Sequence, residues 1–182
     1  MRLTLPTLLT WFRIALLPLI IVFFFWPGDW GRNLAGWLFF IAALTDWLDG
    51  YLARKLGQHS SFGAFLDPVA DKLLVVITLV LLVSAHPQLL IILSTIIIIG
   101  REIIISALRE WMAKIGEGEH VAVSKLGKIK TVAQLTALTW MLYKDDLLGF
   151  PLYNMGQICL VLAAILTLYS MVVYLRAAVK AI

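Results

Sequence analysis

Residues 46–71 read DWLDGYLARKLGQHSSFGAFLDPVAD, and this stretch holds four of the eleven acidic residues of the chain, Asp46, Asp49, Asp67 and Asp71. Carboxylates are costly in or beside a bilayer, so such a cluster in an apolar chain indicates a functional site. The spacing is three residues in the first pair and four in the second, which puts each pair on one face of a helix. The stretch therefore predicts two helices joined by a short loop, with their acidic faces turned toward each other.

The rest of the chain has the composition of a membrane protein. Of its 182 residues, 62% are hydrophobic and only 14% are charged, whereas soluble domains are about half apolar and a quarter charged. The mean hydropathy is +0.94, and the length accommodates about six spans of roughly 20 residues each. We predict an all-α polytopic membrane protein in which residues 1–182 form a single bundle of six transmembrane helices, with no nucleic-acid partner.

Turn-forming residues separate six apolar segments. No small-residue cleavage site follows the first segment, so we expect it to be a retained span and not a signal peptide. The predicted spans are residues 8–26, 34–55, 64–85, 88–112, 128–146 and 153–178.

The basic residues are divided unequally between the two sides of this bundle. With both termini on one side, that side holds thirteen of the fifteen, and the other side holds Arg32 and Lys144. An excess of lysine and arginine marks the cytoplasmic side of a membrane protein. We therefore predict that both termini and the acidic cluster face the cytoplasm.

The acidic cluster is typical of a site for a hard divalent cation. Carboxylate oxygens suit Mg²⁺ or Mn²⁺, and two such ions could clamp a phosphoryl group during an in-line displacement. The histidine and cysteine ligands that zinc prefers are missing from the face pattern. Two other interpretations stay open at this point: interhelical ion pairs with Arg54, Lys55 and Lys72, and a proton or cation pathway.

The pattern Asp46-x2-Asp49-Gly50-x2-Ala53-Arg54-x8-Gly63-x3-Asp67-x3-Asp71 resembles the signature of the CDP-alcohol phosphotransferase family at all eight defined positions. The resemblance implies a six-span membrane enzyme, usually a homodimer, in which an alcohol displaces CMP from a CDP-linked lipid with the help of Mg²⁺ or Mn²⁺. It implies that the four aspartates are metal ligands for two ions. It also implies that Asp71 is the general base.

The same resemblance implies contacts to the CDP-linked substrate. Gly50 and Arg54 correspond to positions that contact the CDP moiety, and Ser60 is a further candidate. Near the N-terminus, residues 7–13 (TLLTWFR) are similar to a second family element, Asn-x2-Thr-x2-Arg, with threonine in place of the asparagine. This element adds Thr10 and Arg13 to the residues expected to bind the liponucleotide.

Two further segments indicate the acceptor. Residues 101–111 (REIIISALREW) and 123–131 (VSKLGKIKT) are similar to those bacterial family members of the inner (cytoplasmic) membrane that use CDP-diacylglycerol and sn-glycerol 3-phosphate. An arginine inside a membrane span costs free energy unless an anion pairs with it. The geometry of the guanidinium group suits a phosphate. We predict that Arg101, Arg109 and Lys128 bind glycerol 3-phosphate, and that Lys125 and Lys130 are surface charges.

Other interpretations of these segments stay open. Arg101 could instead pair with Glu102 or Glu110. Within the family, the acceptor could be phosphatidylglycerol, serine or an inositol phosphate, which would make the protein a cardiolipin, phosphatidylserine or phosphatidylinositol phosphate synthase. Outside the family, a cation or proton transporter and a structural membrane subunit are the alternatives. Product analysis with each acceptor, and flux measurements in proteoliposomes, discriminate among them.

Overall fold

A computed structural model describes residues 5–56, 61–116, 125–143, 145–147 and 149–181. Within these ranges the chain forms six helices: α1 (Leu5–Phe24), α2 (Asp29–Leu56), α3 (Ser61–Ala85), α4 (Leu89–Lys114), α5 (Lys125–Leu142) and α6 (Leu152–Ala181). No strand occurs in the described ranges, where the only β-type pairing is an isolated bridge between Leu147 and Phe150. The prediction of an all-α fold is confirmed.

Glycine and proline residues explain several helix boundaries. Gly28 has a φ of +113° in the turn between α1 and α2, a conformation that favours glycine. Pro87 lies in the short link between α3 and α4, where it disfavours a helical conformation of the residue before it. Pro68 lies inside α3, which begins at Ser61 and continues through the proline with the loss of one helical hydrogen bond.

Four of the helices are long and apolar enough to cross a membrane. The qualifying segments are Thr7–Phe24, Phe65–Ala85, Leu89–Lys114 and Leu152–Val179, in α1, α3, α4 and α6. Helix α2 carries the first two aspartates of the cluster and α5 begins with three lysines within six residues, so neither contains a qualifying window. The crossing of the membrane by α2 and α5 stays a prediction.

The helices form one bundle with a shared apolar core. Helix α1 packs on α2 and α3, α5 packs on α6 and α2, and α4 packs on α6. Helices α5 and α6 approach closely at Gly156 of α6, where an added Cβ would lie 2.6 Å from Met141 Cγ and 3.0 Å from the carbonyl oxygen of Ala137. Glycine at this position therefore allows α6 to approach the backbone of α5.

The outer surface of the bundle is strongly apolar. Leu90, Ile103, Val132 and Ile158 are each about three-fifths or more exposed, on α4, α5 and α6. A contiguous apolar surface of this kind is a liability in water, whereas lipid is as apolar as leucine and accepts it. Together with the four candidate spans, this surface identifies an integral membrane protein.

Candidate active site

The four aspartates predicted from the sequence converge at one end of the bundle. Asp46 and Asp49 lie in the second half of α2, and Asp67 and Asp71 lie in the first half of α3. Side chains of α1 contact all four carboxylates. Side chains of α1 therefore connect the acidic face of α2 to the acidic face of α3.

Arg13 of α1 is the cation at the centre of this cluster. Its Nη1 donates a hydrogen bond to Asp71 and its Nη2 donates one to Asp49. The same Nη2 lies 3.4 Å from Oδ1 of Asp46. The side chain of Arg13 is completely buried, and a buried arginine is tolerated only when carboxylates pair with it. Arg54 is one of the three ion-pair partners that the sequence suggested as an alternative, and its side chain lies outside the described residues.

Thr10 lies one turn before Arg13 and contacts the remaining aspartate. Its hydroxyl donates a hydrogen bond to Oδ1 of Asp67, and the side chain is fully buried. The N-terminal element that the family resemblance associates with the liponucleotide thus holds the acidic cluster together in this structure.

The donor chemistry of the cluster fits a divalent cation. Arg13 contacts three of the four carboxylates but carries only one positive charge. Ionised carboxylates that lie this close need further positive charge, which a divalent cation can supply. In the described part of the chain, no three acidic, histidine or cysteine side chains are arranged to hold a metal ion as they stand. Because Arg13 contacts three of the aspartates, an ion that used the same oxygens would displace its guanidinium from at least one of them.

Four other predicted site residues can be placed only in part. Gly50 and Arg54 lie in the last two turns of α2, and Lys128 lies at the start of α5. The side chains of Arg54 and Lys128, like the whole of Ser60, fall outside the described residues.

A cavity of about 280 Å³ opens beside the aspartates, between α3, α4, α5 and α6. Asp71 and Lys72 line it on the side of α3. Three cations also line it, Arg101 and Arg109 from α4 and Lys130 from α5. The general base implied by the family resemblance and the predicted acceptor-binding arginines therefore share one cavity.

Glu102 links two of these cations. Its Oε1 accepts hydrogen bonds from Arg101 Nη1 at 3.1 Å and from Lys130 Nζ at 2.6 Å. The prediction that Lys130 is a surface charge is wrong, since the residue is only 3% exposed. Its position on α5 turns the side chain toward α4 and the cavity. The alternative pairing of Arg101 with Glu102 is present, whereas Glu110 pairs with Lys114 at the surface.

Tyr174 of α6 is a cavity residue that the sequence did not indicate. Its hydroxyl accepts a hydrogen bond from Arg109 Nη2 at 3.3 Å, and its ring lies under the guanidinium groups of Arg101 and Arg109 at 5.7 and 5.2 Å. Ser170, one turn earlier, accepts a 3.4 Å hydrogen bond from Arg101. In the sequence, these two residues appear only as a tyrosine and a serine four positions apart in an apolar segment. This pattern is weak evidence for a binding site.

Arg101 and Arg109 each have a hydrogen-bond donor that can bind an anion. Among the described residues, the buried Nε donors of Arg101 and Arg109 have no hydrogen-bond partner. A buried donor without a partner costs about 1–3 kcal/mol. A phosphate in the cavity would remove that cost.

The chain is similar to known proteins over nearly its whole length. A family model described as CDP-alcohol phosphatidyltransferase matches residues 3–173. The chain is 48% identical over 178 residues to a CDP-diacylglycerol–glycerol-3-phosphate 3-phosphatidyltransferase of Salmonella choleraesuis. It is 47% identical over the same length to proteins of that name from Shigella flexneri and Escherichia coli. Each match covers 98% of this chain and 96% of the relative.

Proposed function

Because the chain belongs to the CDP-alcohol phosphatidyltransferase family, we propose that it transfers the phosphatidyl group of CDP-diacylglycerol to sn-glycerol 3-phosphate. The products are phosphatidylglycerophosphate and CMP. The names of the relatives support this assignment. The structural observation that carries it is the cavity that Asp71 lines together with Arg101, Arg109 and Lys130.

The charges of the cavity suit a phosphate monoester. Arg101, Arg109 and Lys130 contribute three positive charges and Glu102 removes one, which leaves two; Lys72 and Asp71, which also line the cavity, cancel each other. A phosphate monoester carries a charge of about −1.5 to −2 at pH 7. Arg101 and Arg109, with Lys128 as a further candidate, therefore bind the phosphate of the acceptor, and we add Lys130 to them.

The acidic cluster serves the donor substrate. Asp46, Asp49, Asp67 and Asp71 would hold Mg²⁺ or Mn²⁺, and two such ions, when bound, would stabilise the charge that develops on the pyrophosphate oxygens. Thr10, Arg13, Gly50, Arg54 and Ser60 bind the CDP moiety. Once Arg13 releases a carboxylate, its Nη donors become available to a phosphate of the liponucleotide.

The chemical step is a direct displacement at phosphorus. The C1 hydroxyl of glycerol 3-phosphate attacks the β-phosphorus of CDP-diacylglycerol, and Asp71 accepts its proton. A bond forms between the acceptor oxygen and the β-phosphorus, while the bond from that phosphorus to the oxygen of CMP breaks. Binding energy at the acceptor phosphate positions the hydroxyl beside Asp71.

We further propose that the protein functions in the bacterial inner membrane as a homodimer of single-domain chains, residues 1–182. All six helices cross the bilayer, with both termini and the cavity on the cytoplasmic side. The distribution of basic residues supports this orientation. The acyl chains of the donor then remain in lipid while its headgroup enters the site.

The test is an assay of purified protein with CDP-diacylglycerol and sn-glycerol 3-phosphate, in which CMP release and the lipid product are measured. We expect activity with Mg²⁺ or Mn²⁺, its loss in EDTA, and no product when serine or phosphatidylglycerol replaces the acceptor. Asp71→Asn removes the general base and should lower kcat by about 10²–10⁴-fold. Asp146→Asn, at an exposed position remote from the cavity, is the matched control.

Activity that persists in EDTA would refute the metal role. Near-normal turnover by a folded Asp71→Asn protein would remove Asp71 as the base. Product formation only with a different acceptor would redirect the proposal within the family.

A further inference from the structure

Gln134 of α5 is a buried polar residue that neither the sequence pattern nor the proposed chemistry has used. Its side chain lines the cavity beside Thr131 and Lys130, and it is only 4% exposed. Within the described part of the chain, its Oε1 has no hydrogen-bond partner. A buried hydrogen-bond acceptor without a partner lowers the stability of the folded protein. When such an acceptor lies in the wall of a binding cavity, it indicates a ligand that donates a hydrogen bond.

We propose that Gln134 is a specificity-determining residue that accepts a hydrogen bond from the C2 hydroxyl of the acceptor alcohol. The inference rests on the proposed function, because it takes the three-carbon phosphate as the occupant of the cavity. It concerns a different part of that molecule from the groups assigned so far, which are the phosphate on C3 and the attacking hydroxyl on C1.

Gln134 shares the cavity with the groups assigned to the two ends of the acceptor. Asp71 lines the cavity from α3, and Arg101 and Arg109 line it from α4. An acceptor with its C1 hydroxyl at Asp71 and its phosphate at the arginines leaves its C2 hydroxyl without an assigned partner. Helix α5 lines the same cavity with Lys130, Thr131 and Gln134, and the amide oxygen of Gln134 supplies an acceptor that the cations of the cavity cannot supply.

A site built to hydrogen-bond a hydroxyl rejects analogues that lack it, because the buried partner is then left unpaired. The experiment compares sn-glycerol 3-phosphate with 3-hydroxypropyl phosphate, which has the same attacking hydroxyl and phosphate but no C2 hydroxyl. CMP release from CDP-diacylglycerol is measured for wild type, Gln134→Leu and Gln157→Leu. Gln157 lies on α6 and donates a hydrogen bond to Gln88, the residue directly before α4. Neither residue lines the cavity, so Gln157 is the matched control.

For wild type and for Gln157→Leu we expect kcat/KM to be about ten- to a hundredfold lower with 3-hydroxypropyl phosphate, as one lost hydrogen bond plus an unpaired acceptor implies. For Gln134→Leu this ratio should fall to about threefold or less. The KM for glycerol 3-phosphate should rise while the KM for CDP-diacylglycerol stays unchanged. Thermal stability should not fall, because the substitution removes a buried group that lacks a partner.

An unchanged ratio in Gln134→Leu would overturn this inference and leave the proposed function intact. A marked loss of thermal stability in this variant would also overturn it, since the amide would then have a structural partner. A wild-type protein that releases no CMP with either acceptor would overturn both proposals.

Discussion

Arg13 meets carboxylates from two other helices with one side chain. Its guanidinium contacts Asp46 and Asp49 of α2 and Asp71 of α3. These partners lie 33 to 58 positions away along the chain, so the contacts tie α1, α2 and α3 together at the end of the bundle that forms the site. The same contacts place Arg13 where it would compete with a metal ion for the same oxygens.

Replacement of Arg13 by methionine leaves the aspartates without their buried counterion. Breaking a buried ion pair from one side costs about 3–5 kcal/mol, so we expect Arg13→Met to lower the melting temperature markedly in EDTA. A divalent cation can then offset the unpaired charge. Mg²⁺ should therefore raise the melting temperature of Arg13→Met by more than it raises that of wild type.

Arg13→Lys is the matched control because it keeps the positive charge and loses only the forked geometry. Its melting temperature in EDTA should lie between those of wild type and Arg13→Met. A larger Mg²⁺-dependent gain in wild type than in Arg13→Met would contradict competition between the guanidinium and the ion.

At the scale of elements, the contact between α5 and α6 includes a close approach at Gly156. A Cβ at Gly156 would lie 3.0 Å from the carbonyl oxygen of Ala137 and 3.2 Å from the backbone nitrogen of Met141. Backbone atoms cannot rotate out of the way, so the two helices would have to separate slightly. Helix α5 carries Lys130 and Gln134 and helix α6 carries Tyr174, so the same two helices also line the cavity.

Gly156→Ala should therefore destabilise the protein in detergent. Overpacking of a core contact costs about 1–3 kcal/mol, against a gain of roughly 0.5–1 kcal/mol from replacing glycine in a helix. The control is Gly100→Ala in α4, where an added Cβ meets nothing within 4 Å. We expect a lower melting temperature for the first variant and an equal or higher one for the second. Equal gains in both variants would show that α5 and α6 do not need the close approach.

At the scale of the whole molecule, the end opposite the aspartates has its own polar contacts. Arg32 of α2 hydrogen-bonds to His86 Nε2 at 2.9 Å and donates to the carbonyl oxygen of Met141 in α5 at 3.0 Å. The His86 ring lies 4.9 Å from the ring of Tyr153 in α6. These contacts join α2, α5 and α6 to the link between α3 and α4.

This cluster makes stability depend on pH. Burial lowers the pKa of the His86 imidazole, and the positive charge of Arg32 beside it lowers it further. Unfolded histidine titrates near pH 6.5, so below that pH the unfolded chain binds a proton that the folded protein resists. The free energy of unfolding therefore decreases as the pH falls from about 7 toward 5. Above pH 7 the imidazole is neutral in both states, so His86 does not contribute to the pH dependence of stability there.

The measurement is the melting temperature of wild type and His86→Gln across this range. Other titrating groups affect both proteins, so the difference between the two curves reports His86. We expect wild type to lose more stability than the variant on acidification. Parallel curves would contradict the lowered pKa.

Much of the site was predictable because its signals are local. The spacing of Asp46, Asp49, Asp67 and Asp71 along two helices follows from the helical period, and the alternation of apolar segments with glycine and proline predicted the six helices. Arg101 and Arg109 could also be predicted, since charges inside an apolar span require a partner. The roles of these residues in metal and substrate binding stay predictions.

What remained hidden was which groups from distant parts of the chain meet one another. Arg13 and Asp71 are separated by 58 positions, and Arg109 and Tyr174 by 65. Helical period fixes the face on which a residue lies but not the helix that packs against it. The counterion of the aspartates, the burial of Lys130 and the unpaired oxygen of Gln134 therefore depend on how α1, α5 and α6 pack around the other helices, because the free energy of a buried polar group is set by its neighbours in space.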